Sequence, residues 1–323
     1  MSRHWNIYLV AAALAVCSAS ARTADFPEKP VRMVVPLAPG GGSDIVGRIV
    51  ALALTDHWHK SVVVDNRPGA GSVVGTSIVA KAPADGYTVL VSSSSFAISP
   101  ALYPHLSYDP RRDFAPVMLL ASQPSLLVIH ASVPARTLKE LIALAKAKPG
   151  QLAYGSAGIG SATHLGTELF LHTAGISAQH VPYKSAGQAT TAVLSGEAQL
   201  LITNTASVLP HLQSGKIRAL GTTATERSPL APDVPTINES GLPGFEYATW
   251  YGAFVPGGTA ALRVAAIHRA MHAVLGQSAT RQQLTAQGLQ THASSPDEFK
   301  RYLDAELKRW QSVIGAARIA ASG

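Results

Sequence analysis

The sequence predicts an α/β protein. Short apolar, β-branched runs alternate with helical periods, which argues for βαβ units on a parallel sheet. Two glycine-rich loops, Pro39–Asp44 and Gly155–Ser161, each carry a strand into a helix. From Ala260 onward the chain reads as helix alone. At 323 residues and 47% hydrophobic, it is long enough for one large domain or two medium ones.

The first strand, Val31–Val35, is broken by Pro39 and Gly40–Gly42, after which Ile45, Val46, Ile49 and Val50 fall at helical spacing. Ser43 is the expected N-cap. The first N–H groups of such a helix have no partner and carry the positive end of its dipole, and glycine lets a ligand approach the backbone. The junction therefore suits a small anion, and equally a tight turn with no ligand. Ser61–Asp65 is expected as a short buried strand, Val73–Ala82 as a helix ended by Pro83, and Tyr87–Ser92 as a third strand after the Asp85-Gly86 turn. Ser92–Ser95 then read either as a polar loop or as ligand hydroxyls.

Val117–Leu120 and Leu126–Ile129, split by Gln123-Pro124, read as a strand crossing out of the first sheet. Thr137 and Glu140 form a capping box for a helix to Ala147. The second glycine loop repeats the first: a strand from Leu152, then Gly155, Ser156, Ala157, Gly158 and Gly160, then Ser161 capping a helix that carries Thr163 and His164. It lacks the Gly-Lys-Ser/Thr ending of a P-loop, and its glycine spacing differs from a dinucleotide fingerprint. A third polar loop holds Tyr183, Lys184 and Ala186, and a strand Gln199–Thr203 ends at Asn204. Ile217–Gly221 is another strand, and Ala253–Val255 the return crossing. The tail helices, Ala260–Leu275, Thr280–Gln287 and Asp297–Ala317, carry packing stripes, Leu262, Ala265 and Ala266 in the first and Phe299 through Ile314 in the last.

Composition narrows the function classes. Charged residues are 14%, against about 25% in an average domain, and the net charge of +7 is scattered, so nucleic-acid binding is not expected. Arg3 and His4, an apolar run Ile7–Val16 and Ala19-Ser20-Ala21 form a secretory signal, residues 1–21, too short to span a bilayer. A lipoprotein reading at Cys17 is disfavoured because Val16 is large for that site. Cys17 is the sole cysteine, so disulfides and thiol chemistry are excluded from the mature chain. No HExxH or Gly-x-Ser-x-Gly is present, and Asp44 is the one acid in either glycine loop. Ser161 and His164 are close in sequence, but pocket lining explains them more simply than catalysis, and His164 alternatively reads as a wall histidine without ligand contact.

Several stretches together resemble one family. PEKPVRMVVPLAPGGGSDIVGR, VVVDNRPGAGSVVG, PADGYTVL, YGSAGIGSATHLGTELF, HVPYKSAGQATTAVLSGE, GKIRALGTT, RSPLAPDVPTINESGLPGFE and PDEFKRYLDAELKRW, in this order, are similar to the Bug receptors, the extracytoplasmic solute-binding proteins of tripartite tricarboxylate transporters. The resemblance implies a type II periplasmic-binding-protein fold: two α/β lobes, 25–123 with 250–323 and 124–249, joined by a hinge with the ligand cleft between them. It implies a monomeric periplasmic receptor that captures a small carboxylate and passes it to transmembrane permease subunits, with no cofactor, metal or catalysis. Pro39, Gly40, Gly41, Gly42, Ser43 and Asp44 would face Ser156, Ala157, Gly158, Gly160, Ser161 and His164, with Ser93, Ser94, Tyr183, Lys184, Ala186 and Asn204 completing the pocket. Ser72 stands where the family usually has glycine, and Asn204 where it often has aspartate, which leans the ligand away from amino acids. The rival readings are a receptor presenting ligand to a sensor protein, and an enzyme on small acids using Ser161.

Overall fold

A computed structural model describes residues 26–103, 105–228 and 230–317. The signal and Cys17 readings lie outside these residues. Among them no helix is long and apolar enough to cross a membrane.

The first half runs β1 (Val31–Val35), α1 (Gly42–Trp58), β2 (Val62–Asn66), a 3-10 turn at Ala70–Ser72, α2 (Val73–Ala80), β3 (Thr88–Ser93) and α3 (Ser95–Leu102). β4 (Phe114–His130) leads out, followed by α4 (Leu138–Ala147), β5 (Ala153–Ser156), α5 (Ala162–Ala174), β6 (Gln179–Pro182), α6 (Ala186–Ser195), β7 (Leu200–Asn204), α7 (Thr205–Leu212) and β8 (Ile217–Thr222). β9 (Ala248–Pro256) returns, and α8 (Ala261–Gly276), α9 (Ser278–Ala286), the short β10 (Gln290–Thr291) and α10 (Pro296–Ala317) close the chain.

The strand order is β2-β1-β3-β9-β4-β7-β5-β6, with β8 and β10 also paired to β4. The sheet is mixed rather than parallel. β1 runs parallel to β2 and β3, and β5 parallel to β6 and β7, but the two central strands β4 and β9 are antiparallel to their neighbours. The reason is topological: one strand carries the chain out and the other carries it back. β4 pairs with β9 as far as Pro124, then with β7 and β8 from Ser125 and Leu126 onward. Pro124, with no N–H to donate, sits where the strand changes partner.

Several local expectations need correction. Ser43 does not cap α1; the cap position is Gly41, without a side-chain bond, and Ser43 is buried in the first turn. The glycine run moves the helix start two residues earlier than a serine cap would. β2 is a half-exposed edge strand rather than a buried one. The α8 stripe is out of phase: Leu262 is 81% exposed, and Ile267, Met271 and Val274 face the core instead. α3, β6 and α7 are additional elements. α3 and α7 are eight-residue helices with a proline inside, Pro100 and Pro210, a residue that sequence reading treats as a breaker.

Other elements follow their sequence signals. Thr137 accepts the Glu140 N–H at 3.2 Å at the start of α4. The Glu140 carboxylate reaches one residue further back, to the Arg136 N–H at 2.6 Å. In α10, Phe299, Leu303, Leu307, Trp310 and Ile314 are all buried. That helix packs across α3, β4 and α5, so it touches elements on both sides of the crossing strands.

Candidate functional site

A cavity of about 390 Å³ opens where the N-termini of α1, α3 and α5 converge. Gly42 and Ser43 line it from α1, Ser93, Ser94 and Ser95 from the end of β3 and the start of α3, and Gly160, Ser161 and Ala162 from α5. Ile98, Ser99, Leu102 and Tyr103 add one face of α3 and its end, Ile159 stands on the second glycine loop, and Thr249 and Tyr251 come from β9.

The first glycine loop is held by its own acid. Asp44 is 3% exposed and accepts the Gly40 N–H at 2.9 Å, Arg48 Nε at 3.0 Å and Asn66 Nδ2 at 3.0 Å. Asn66 Nδ2 also donates to the Leu37 carbonyl at 3.1 Å, which ties the loop to the end of β2. Burial raises the Asp44 pKa, but the hydrogen bonds from Arg48, Gly40 and Asn66 outweigh it and hold the carboxyl below its ordinary value. Gly40 has φ +80°, a left-handed conformation that glycine adopts without a Cβ clash. Gly42 serves differently: a Cβ there would lie 2.0 Å from the Tyr251 hydroxyl oxygen.

The second loop is built from hydroxyls and rings. Ser161 Oγ accepts the His164 N–H at 3.2 Å and donates to the Gly158 carbonyl at 2.7 Å. Thr163 Oγ1 accepts the Ala157 N–H at 2.8 Å. The Gly160 N–H donates to His164 Nδ1 at 3.0 Å, which places any ring proton of a neutral His164 on Nε2. His164 stacks on His180 with 4.1 Å between ring centroids, and His180 stacks on Tyr154, whose hydroxyl donates to Glu168. Burial, and then the neighbouring His180, push His164 down to about 4. His164 is therefore neutral at pH 7, a brace of the second loop and not a cation for an anionic ligand.

The N–H groups of Gly42, Ser43, Ala162 and Thr163 have no acceptor among the described residues. Neither does Ser43 Oγ, although Ser43 is 1% exposed. Gly42, Ser43 and Ala162 line a cavity whose walls carry no Asp, Glu, Lys, Arg or His side chain, and Thr163 follows Ala162 in the first turn of α5. The arrangement suits an anionic head held by backbone dipoles.

Of the residues singled out from sequence, the cavity brings together Gly42, Ser43, Ser93, Ser94, Gly160 and Ser161. Pro39, Gly40 and Gly41 form the loop that leads into α1, held by Asp44 from the helix's first turn, and Ser156, Ala157, Gly158 and His164 form the frame of the second loop. Tyr183 donates to Glu197 at 2.9 Å, Lys184 is exposed, and Ala186 opens α6. Asn204 Oδ1 caps α7 by accepting the Ala206 N–H at 2.9 Å. Sequence reading missed Ile98, Leu102, Tyr103, Ile159 and Tyr251. The first two sit four residues apart on α3 and become a visible face only once that helix is known.

The histidine stack makes a pH prediction. A His held near 4 against an ordinary value of 6.5 favours the fold only while neutral. Its stabilisation is complete above pH 6.5, falls as pH drops toward 4, and levels off below that, a loss of up to ~3 kcal/mol. Melting temperatures from pH 7 to pH 4 should therefore fall more steeply in the wild type than in His164→Asn. Parallel curves would remove His164 as the titrating group.

The crossing strands, the two α/β halves and a cleft lined by helix N-termini are the architecture of a solute-binding protein. The chain belongs to the tripartite tricarboxylate transporter receptor family, whose sequence profile matches residues 46–319. It is 37% identical over 291 residues to Protein BugT of Bordetella pertussis, covering 90% of this chain and 89% of that one. Among solved structures, Rpa4515 of R. palustris with adipate has a TM-score of 0.78 at 36% identity, covering 92% of this chain and 99% of the other. MatC of Rhodopseudomonas palustris with bound malate has a TM-score of 0.75 at 32% identity, covering 90% and 100%.

Proposed function

We propose that the protein is a monomeric periplasmic receptor that captures a small carboxylate and hands it to the transmembrane permease subunits of a tripartite tricarboxylate transporter. The observation that carries this is the set of unpartnered donors at the starts of α1 and α5, two helix ends that line one cavity with no charged side chain. The malate and adipate held by the two related structures support the same ligand class. In this reading the chain crosses between lobes near Gln123 and returns near Trp250, so residues 25–123 and 250–323 form one lobe and 124–249 the other. Gly42, Ser43, Ala162 and Thr163 would hold the acid, while Asp44, Asn66 and His164 shape the loops that present them. Closure then follows from contacts made only when both lobes meet the ligand.

Two hydrogen bonds weigh against an enzyme. The Ser161 hydroxyl donates to a carbonyl, and His164 Nδ1 is engaged by the Gly160 N–H, so neither is poised as nucleophile and base. Calorimetric and thermal-shift titration of the protein with small acids tests the proposal. A bound acid at a hundredfold excess over Kd should add about 2.7 kcal/mol, a rise of about 5 °C, with no product formed. Absence of any shift across mono-, di- and tricarboxylates would refute the carboxylate assignment.

A further inference from the structure

Resting on that reading, we infer that the acid this receptor takes has an apolar body, a hydrocarbon chain or ring bearing a carboxylate head, rather than the hydroxylated di- or tricarboxylate skeleton of malate or citrate.

The cavity has two unlike sets of lining residues. Gly42 and Ser43 belong to one, where Tyr251 reaches Gly42 and sits in register with Ser93. Here the helix start has open N–H groups, and Ser43, whose Oγ is buried and without a partner, is one of the lining residues. A carboxylate satisfies all of these donors at once. Ile98, Leu102 and Ile159 form the other. The last carbon of Leu102 comes within 2.9 Å of where a Cβ on Gly160 would stand, so the α3 face meets the second glycine loop there.

Ile159 is 46% exposed, an apolar side chain held at the cleft instead of in the core. A ligand body packed against it would cover that surface. The polar inventory points the same way. At the second loop the Ser161 hydroxyl and the Gly160 N–H are already engaged inside the protein, which leaves the backbone N–H groups at the start of α5 as the open donors there, suited to a carboxylate. Hydroxyl groups on a ligand body lying against Ile98, Leu102 and Ile159 would meet aliphatic carbon, and their lost hydration would go uncompensated. With no cationic side chain on the wall, a tricarboxylate would also leave buried charge without a partner.

The test compares matched ligands by isothermal titration at pH 7.5: hexanoate, benzoate and adipate as acids with apolar bodies, malate and citrate as polar ones, and hexanamide as the uncharged control. The inference requires the best of the first group to bind at least tenfold more tightly than malate or citrate. It also requires Ile159→Asn, which alters a half-exposed side chain, to shrink that ratio at least threefold while the melting temperature of the free protein holds. Malate or citrate binding as well as the apolar acids would overturn the inference and leave the carboxylate receptor standing. Hexanamide binding as tightly as hexanoate would overturn the carboxylate head and leave the apolar body. Binding of none of the six would overturn both.

Discussion

Exchange of Glu306 for alanine should lower the melting temperature by about 10 °C, a loss of about 3–5 kcal/mol. Glu306 lies on α10, is 5% exposed, and accepts from two indoles at once, Trp250 Nε1 at 2.9 Å and Trp310 Nε1 at 3.0 Å. Both tryptophans are fully buried. Arg309 Nη1 adds a third contact to the carboxylate at 3.3 Å, and a second Arg309 nitrogen donates to the Glu246 carbonyl. Removing the carboxylate leaves two buried indole N–H groups without acceptors, each costing about 1–3 kcal/mol, and opens a void besides. Because Trp250 stands in β9 and Trp310 in the last helix, the carboxylate fastens the chain's end to its return strand. Glu306→Gln keeps a carbonyl oxygen for the indoles and should lose less than half as much. A differential scanning measurement showing Glu306→Ala within about 2 °C of wild type would mean that water replaces the carboxylate there.

That clamp was not visible in the sequence, and the reason is general to this molecule. Contacts between neighbours in the chain could be read; contacts across fifty or more residues could not. The stripe of α10 was legible because Phe299, Leu303, Leu307 and Ile314 keep helical spacing. That Glu306 sits among them as a buried acceptor depends on Trp250, 56 positions away. Ser161 as a cap and the two strand–glycine–helix junctions were legible for the same local reason, since period, glycine and cap fall within one short window. β4 was legible as a crossing even with Pro124 inside it, because its two apolar runs flank the proline.

The site divides in the same manner. Its polar pole, the N-termini of α1 and α5, follows from the glycine loops. Its apolar wall lies on α3, which Pro100 disguised, and on Ile159, which reads as a spacer between two glycines. The role of Asp44 was also hidden. Next to a glycine loop an acid looks ligand-facing, but its partner Asn66 arrives from the end of a different strand and turns the carboxylate inward. Lys184, the one cation among the residues picked from sequence, belongs to an exposed loop and not to the cavity wall.

Gly42→Ala should weaken ligand binding at least thirtyfold, about 2 kcal/mol, whereas Gly41→Ala should change it less than threefold. The two glycines are adjacent, and their surroundings decide the contrast. Gly41 has φ −80° and ψ 167°, ordinary extended backbone, and a Cβ there would find only the Ala38 carbonyl at 3.5 Å. At Gly42 a Cβ would overlap the Tyr251 ring, 2.0 Å from its oxygen and 2.7 Å from Cζ. Tyr251 is 4% exposed and donates to Gln123 Oε1 at 3.1 Å, so its ring cannot swing away without breaking a bond to the crossing strand. The displaced ring would enter the cavity beside the Gly42 and Ser43 donors, so the substitution acts on the ligand's space as well as on the fold. Gly42→Ala combined with Tyr251→Phe removes the hydroxyl but keeps the ring, and should recover only part of the loss. Gly42→Ala with Tyr251→Ala clears the overlap and should recover more, at a cost in stability from the lost ring. Titration of the four variants with the best-binding acid orders these outcomes. Equal affinities for Gly41→Ala and Gly42→Ala would mean that the start of α1 does not hold the ligand, and the pocket would have to be sought elsewhere along the crossing strands.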